Sequence, residues 1–110
     1  MIVVTCNEVP GRQVAEALGL ARGATVRVRH VARDVKALVR NLVGGEVPEY
    51  TKLLAEAREQ AYDRMVADAR AMGADAVVGM RFGTSEVAAG AAEVLAYGTA
   101  VRLVPDTPAS

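Results

Sequence analysis

Residues 48–82, PEYTKLLAEAREQAYDRMVADARAMGADAVVGMRF, hold a long amphipathic helix followed at once by a strand, and that succession decides the fold. Pro48 fits the first turn of a helix, where its missing N–H costs nothing. Tyr50, Leu53, Leu54, Ala57, Ala61, Met65, Ala69 and Met72 then recur at helical spacing, while Lys52, Glu56, Glu59, Asp63 and Arg70 face away. Gly73 stands where a left-handed residue stops a helix. At ~1.5 Å per residue the helix spans about 37 Å, and its single apolar stripe is suited to a sheet. Ala76 to Phe82 reads as the strand that follows, with Ala76, Val78, Met80 and Phe82 on one face.

Val94 to Leu103 is the next strand, joined to the first by a loop holding Ser85, Glu86 and Gly90, so the two are expected to pair as a hairpin. Leu95, Tyr97, Val101 and Leu103 lie opposite Val94, Ala96, Gly98 and Ala100, and neither face is polar. One helical layer covers only one face of a sheet, and the chain offers no further long element for the other. A second copy of the chain is the natural cover.

Toward the N-terminus, residues 2–6 form a short β-branched strand and Val9-Pro10-Gly11 a turn. Gln13 to His30 is strand-like, interrupted at Gly19 and at Gly23, where a bend or bulge is expected. Within it Ala24, Val26 and Val28 alternate with Thr25, Arg27 and Arg29, an apolar and a charged face. Arg33 to Val43 reads as a short helix on Val35, Leu38, Val39 and Leu42, stopped by Gly44-Gly45. The expected architecture is α+β: two layers, an antiparallel sheet packed on one long helix plus a short helix. It forms one domain over residues 1–104, with a frayed tail at 105–110.

Composition narrows the function. The 110 residues are 52% hydrophobic and 24% charged, which excludes intrinsic disorder, and a chain of this size buries roughly 65% of its extended surface. Thirteen Lys and Arg balance thirteen Asp and Glu, so there is no basic field for nucleic acid or anionic lipid. The apolar content is aliphatic and alanine-rich, with only Tyr50, Tyr62, Phe82 and Tyr97 aromatic, so little area is buried per residue. A need for extra contact surface again points to self-association. Of the thirteen basic residues only Lys36 and Lys52 are lysine, a bias that fits a GC-rich bacterial genome. One cysteine, no signal-peptide pattern and no membrane-length apolar run make the cytoplasm the expected location.

No catalytic, cofactor-binding or metal-ligating set emerges from the residues. Cys6 and His30 have no partner at C-x2-C or H-x3-H spacing, so their plain readings are a small buried hydrophobe and a strand-end imidazole. Symmetry-related copies could still gather such ligands across an interface. Ser85 and Ser110 lack a nucleophile-elbow context. Gly19-Leu20-Ala21-Arg22-Gly23 lacks both the dinucleotide spacing and the phosphate-loop lysine. Arg33, Asp34, Arg40, Arg58 and Glu59 read as structural ion pairs between packed helices. The expectation is a non-catalytic oligomeric binding module without a cofactor; a metal-binding protein and an enzyme or small-ligand carrier with an intersubunit pocket are the alternatives.

Several of these residues together resemble the YbjQ-like family of small bacterial and archaeal proteins. They are Arg33-Asp34, Gly44-Gly45 followed by Tyr50, Ala57-Arg58, the run Gly73-Ala74-Asp75-Ala76-Val77-Val78-Gly79, and Gly98-Thr99-Ala100-Val101. The match covers residues 2 to 103. The resemblance implies a two-layer subunit of dodecin-like topology that assembles into cyclic pentamers, and it carries a heavy-metal-binding label without an assigned activity. Tyr50-Thr51 replaces the family's Tyr-Glu and Arg40-Asn41 its Arg-Asp, each removing a carboxylate, and Gly83 to Gly90 replaces a more acidic stretch. These departures weaken any oxygen-ligated cation site here.

Overall fold

The computed structural model describes residues 1–28, 48–88 and 90–105. Strands β1 (Ile2–Val3) and β2 (Val14–Val28) are followed by helix α1 (Pro48–Ala71), then β3 (Ala76–Ala88) and β4 (Ala91–Leu103). One sheet of order β1-β3-β4-β2 packs against α1, the two-layer α+β arrangement expected. The sheet is antiparallel across β2, β4 and β3, and the short β1 adds a parallel pairing to β3. The short helix expected over 33–43, its Gly44-Gly45 stop and the tail beyond Pro105 lie outside the described residues.

Helix α1 meets the sheet through alanines. Ala57, Ala61, Met65 and Ala69, one turn apart, are fully buried beside Ala21, Val77, Val94, Ala96 and Ala100. Their small side chains bring the two backbones close together. The helix ends as its sequence requires: Gly73 adopts φ +83, its N–H donates to the Arg70 carbonyl, and the Ala74 N–H donates to Ala69. This is a Schellman cap. Asp75 then ties the start of β3 to the end of β4, its N–H donating to Val101 and its carboxylate accepting from the Leu103 N–H at 2.8 Å.

The hairpin is longer than its sequence suggests. Ser85 and Glu86, placed in a loop by their polarity, belong to β3 and register with Glu93 and Ala92 of β4. The register shifts between Val78 and Arg81, where Gly79 adopts φ +62. That bulge inserts one residue and moves Met80 to the helix side with Val77, away from Ala76 and Val78, so the single face expected for these residues is split. In β2 the register shifts between Val14 and Glu16 and again between Ala17 and Gly19, whereas Gly23 registers regularly with Ala96. Gly23 is therefore not a bend; a Cβ there would lie 2.6 Å from Arg64 Cβ and press on the backbone of Ala61 and Met65.

The close approach at Gly23 also selects which face of β2 the helix covers. Ala21, Gly23 and Thr25 are buried under α1, and Arg27 reaches Gln60 Oε1 at 3.1 Å. The more apolar alternation, Leu20, Ala24 and Val26, is left exposed on the outer face. Helix side chains also engage the free edge of β2: Asp68 accepts from the Arg22 N–H at 3.0 Å, and Arg64 donates to the Ala24 carbonyl at 2.6 Å.

Part of the outer face finds cover within the chain. After β1 the backbone crosses the end of the sheet, with the Val4 and Cys6 carbonyls accepting from Met80 and Gly79. Val9 then buries itself against Ala76, Val78, Val101 and Leu103. The N-terminal segment thus supplies a partial second layer.

Candidate functional site

Among the described residues, the other half of the outer face has no such cover. Successive cross-strand rows there are Arg22, Tyr97 and Arg81; Ala24, Leu95 and Gly83; and Val26, Glu93 and Ser85. Leu20 is 55% exposed, Val26 53% and Tyr97 36%. Between β2 and β4 this surface sinks into a depression of about 400 Å³ lined by Leu20, Arg22, Ala24, Glu93, Leu95 and Tyr97. Ala24 registers with Leu95, and its small side chain leaves the hollow between larger neighbours. A Cβ on Gly83 would lie 3.9 Å from Tyr97 Cε1, so the tyrosine ring reaches toward β3 across that glycine.

The two arginines beside Tyr97 differ in engagement. Arg81 Nη1 donates to the Thr5 and Met80 carbonyls at 2.7 and 2.8 Å. The Arg22 guanidinium has no hydrogen-bond or ion-pair partner among the described residues. A second hollow of about 350 Å³, lined by Met1, Tyr62, Asp63, Val66 and Arg70, carries one acid and one base and offers no net charge to a ligand.

The residues singled out in the sequence do not converge. Cys6 is exposed rather than buried, because the strand stops at Val3 and the chain bends outward; its Sγ donates to the Glu8 carbonyl at 3.0 Å. Ser85 is exposed on β3, and Arg58 and Glu59 are exposed on α1. His30, Arg33, Asp34, Arg40, Asn41 and Ser110 lie outside the described residues. Arg22 and Glu93 were missed as site residues. The signal was the alternation of β2 itself, which shows two faces without saying which one the helix takes.

The family model described as "Putative heavy-metal-binding" matches residues 1–104. The chain belongs to the YbjQ family. It is 58% identical over 105 residues to a "UPF0145 protein" of Methanoculleus marisnigri, covering 96% of this chain and 98% of that one. A second "UPF0145 protein", from Thermus thermophilus, is 54% identical over 105 residues, covering 96% of this chain and 92% of its own. The relatives thus include archaeal and bacterial proteins. Among solved structures, a protein of unknown function of the DUF74 family from Pediococcus pentosaceus shares the fold with a TM-score of 0.66. It is 14% identical, with 94% of this chain and 98% of that chain covered.

The metal named in the YbjQ description does not fit the donors described here. No three His, Cys, Asp or Glu side chains are grouped to hold an ion among the described residues, and the Cys6 thiol is directed to a backbone carbonyl. The run from Gly73 to Gly79, which carries the resemblance, has structural roles. Gly73 and Ala74 cap the helix, Asp75 joins β3 to β4, Ala76 to Val78 fill both sides of the sheet, and Gly79 forms the bulge. No described helix is long and apolar enough to cross a membrane.

Proposed function

We propose that the chain is a cytoplasmic, non-catalytic binding subunit of a closed homo-oligomer, with the open half of the outer sheet face in contact with a neighbouring copy. The contiguous exposure of Leu20, Val26 and Tyr97 on that face carries the reading. An apolar surface of this kind on a lone subunit invites association. From Arg81 onward the outer edge of β3 has left β1 behind, and a neighbour's strand could pair there as the face is covered. Five subunits is the number implied by the family resemblance.

Native mass spectrometry of the full chain tests this. The expected spectrum contains one oligomeric species; a monomer at micromolar concentration overturns the proposal. The same spectrum tests the family's metal description, since a stoichiometric ion would have to be held by donors gathered between copies.

A further inference from the structure

The depression between β2 and β4 has a chemistry of its own. Its walls and floor are aliphatic at Leu20, Ala24 and Leu95, and Tyr97 adds an aromatic face. Its volume of about 400 Å³ falls in the range of small-molecule sites, about 300–1,000 Å³. Arg22 brings a cation with no partner among the described residues, while Arg81, on the far side of Tyr97, is held by two carbonyls. Glu93 stands four residues from Tyr97 along β4, about 13 Å away at ~3.3 Å per residue. The hollow thus has a positive end, an apolar middle and a negative end.

We propose that this depression binds a small amphipathic anion, its apolar body over Ala24 and Leu95 and its single acidic group on Arg22. Charge selects the ligand class. A guanidinium beside apolar surface favours a carboxylate or sulfonate through paired, charge-assisted hydrogen bonds, and Glu93 repels a second acidic group at the other end. The distance between the Arg22 and Glu93 rows, about 13 Å, limits the body to one or two linked ring systems or a medium-length aliphatic chain. The proposal rests on the assembly reading in one respect: a neighbour lying on the rim at Leu20, Val26 and Tyr97 would roof the hollow.

The probe is 8-anilinonaphthalene-1-sulfonate, an aromatic anion whose fluorescence rises in apolar surroundings, titrated against the full chain. Saturable binding of about one probe per chain is expected, at least about tenfold weaker in Arg22→Gln and abolished in Ala24→Phe, which fills the hollow. The uncharged N-phenyl-1-naphthylamine should bind the wild type and Arg22→Gln equally. Arg102→Gln, which removes a surface arginine paired with Glu16, should leave the sulfonate affinity unchanged. Light scattering on each sample separates the two readings: weaker binding by an intact oligomer of Arg22→Gln supports the ligand site alone. Equal sulfonate affinity in the wild type and both variants overturns the proposal, as does the absence of saturable binding. If the wild type binds no probe and Ala24→Phe breaks the oligomer, a neighbour's side chain already fills the hollow, and the ligand site is excluded.

Discussion

Gly23 of β2 lies directly beneath the backbone of α1 at Ala61. A side chain there would meet the Ala61 carbonyl and the Met65 nitrogen, neither of which can rotate away. Gly23→Ala must therefore push the helix off the sheet, at a cost of about 3 kcal/mol. Urea unfolding should show a large fall in midpoint. Gly83→Ala, whose new Cβ would have only Tyr97 Cε1 at 3.9 Å, should stay within about 0.5 kcal/mol of the wild type.

The helix stop is a second point of dependence on glycine. At φ +83, Gly73 occupies the left-handed region, and nothing lies within 4 Å of an added Cβ. Gly73→Ala therefore separates backbone strain from crowding, and a loss of about 1 kcal/mol is expected. An unchanged unfolding midpoint would show that the cap relaxes without cost.

Asp75 joins two strands that a point mutation can uncouple. Its carboxylate accepts from the Leu103 N–H, and Asp75→Ala leaves that donor without its partner. A loss of about 1–2 kcal/mol is expected, with faster hydrogen exchange at Leu103. Asp75→Asn keeps a carbonyl oxygen and should recover most of the stability. If both variants lose the same amount, the negative charge matters more than the acceptor.

These tests mark where sequence was sufficient and where it was not. Gly73, the alanine stripe of α1 and the opposed faces of β4 were legible, because helical spacing, a glycine stop and period-two alternation act locally. The extra length of the hairpin was not, because Ser85 and Glu86 are polar and only their cross-strand partners keep them in β3. The roles of Gly23 and Gly79 were not legible either. One glycine admits a helix and the other forms a bulge, and each depends on a segment distant in sequence. The open hollow was hidden for the same reason: Arg22 and Glu93 meet its lining only once the helix has taken the opposite face of β2.

Metal binding can be tested on one side chain. The Cys6 thiol is exposed and donates to the Glu8 carbonyl. No clustered acid, thiol or imidazole set accompanies it among the described residues. Elemental analysis after zinc loading and dialysis should give far less than one ion per chain, and Cys6→Ala should not change it. Retention of about one zinc per chain, lost in Cys6→Ala, would instead assign the thiol as a ligand and support the family's description.

Adjacent residues of β4 separate assembly from folding. Ala96 is fully buried against α1, whereas Tyr97 is 36% exposed on the open face, so their side chains report on opposite sides of one strand. Ala96→Asp places a carboxylate in an alanine-lined core with no donor to meet it and should leave unfolded or insoluble protein. Tyr97→Asp puts the same charge on the outer face. A lone subunit tolerates it, with the circular dichroism of the wild type, whereas a packed intersubunit contact does not, so light scattering should report a shift to smaller species. Preserved assembly in Tyr97→Asp would move the contact off this face, and a folded, assembled Ala96→Asp would contradict the packing of α1 on the sheet.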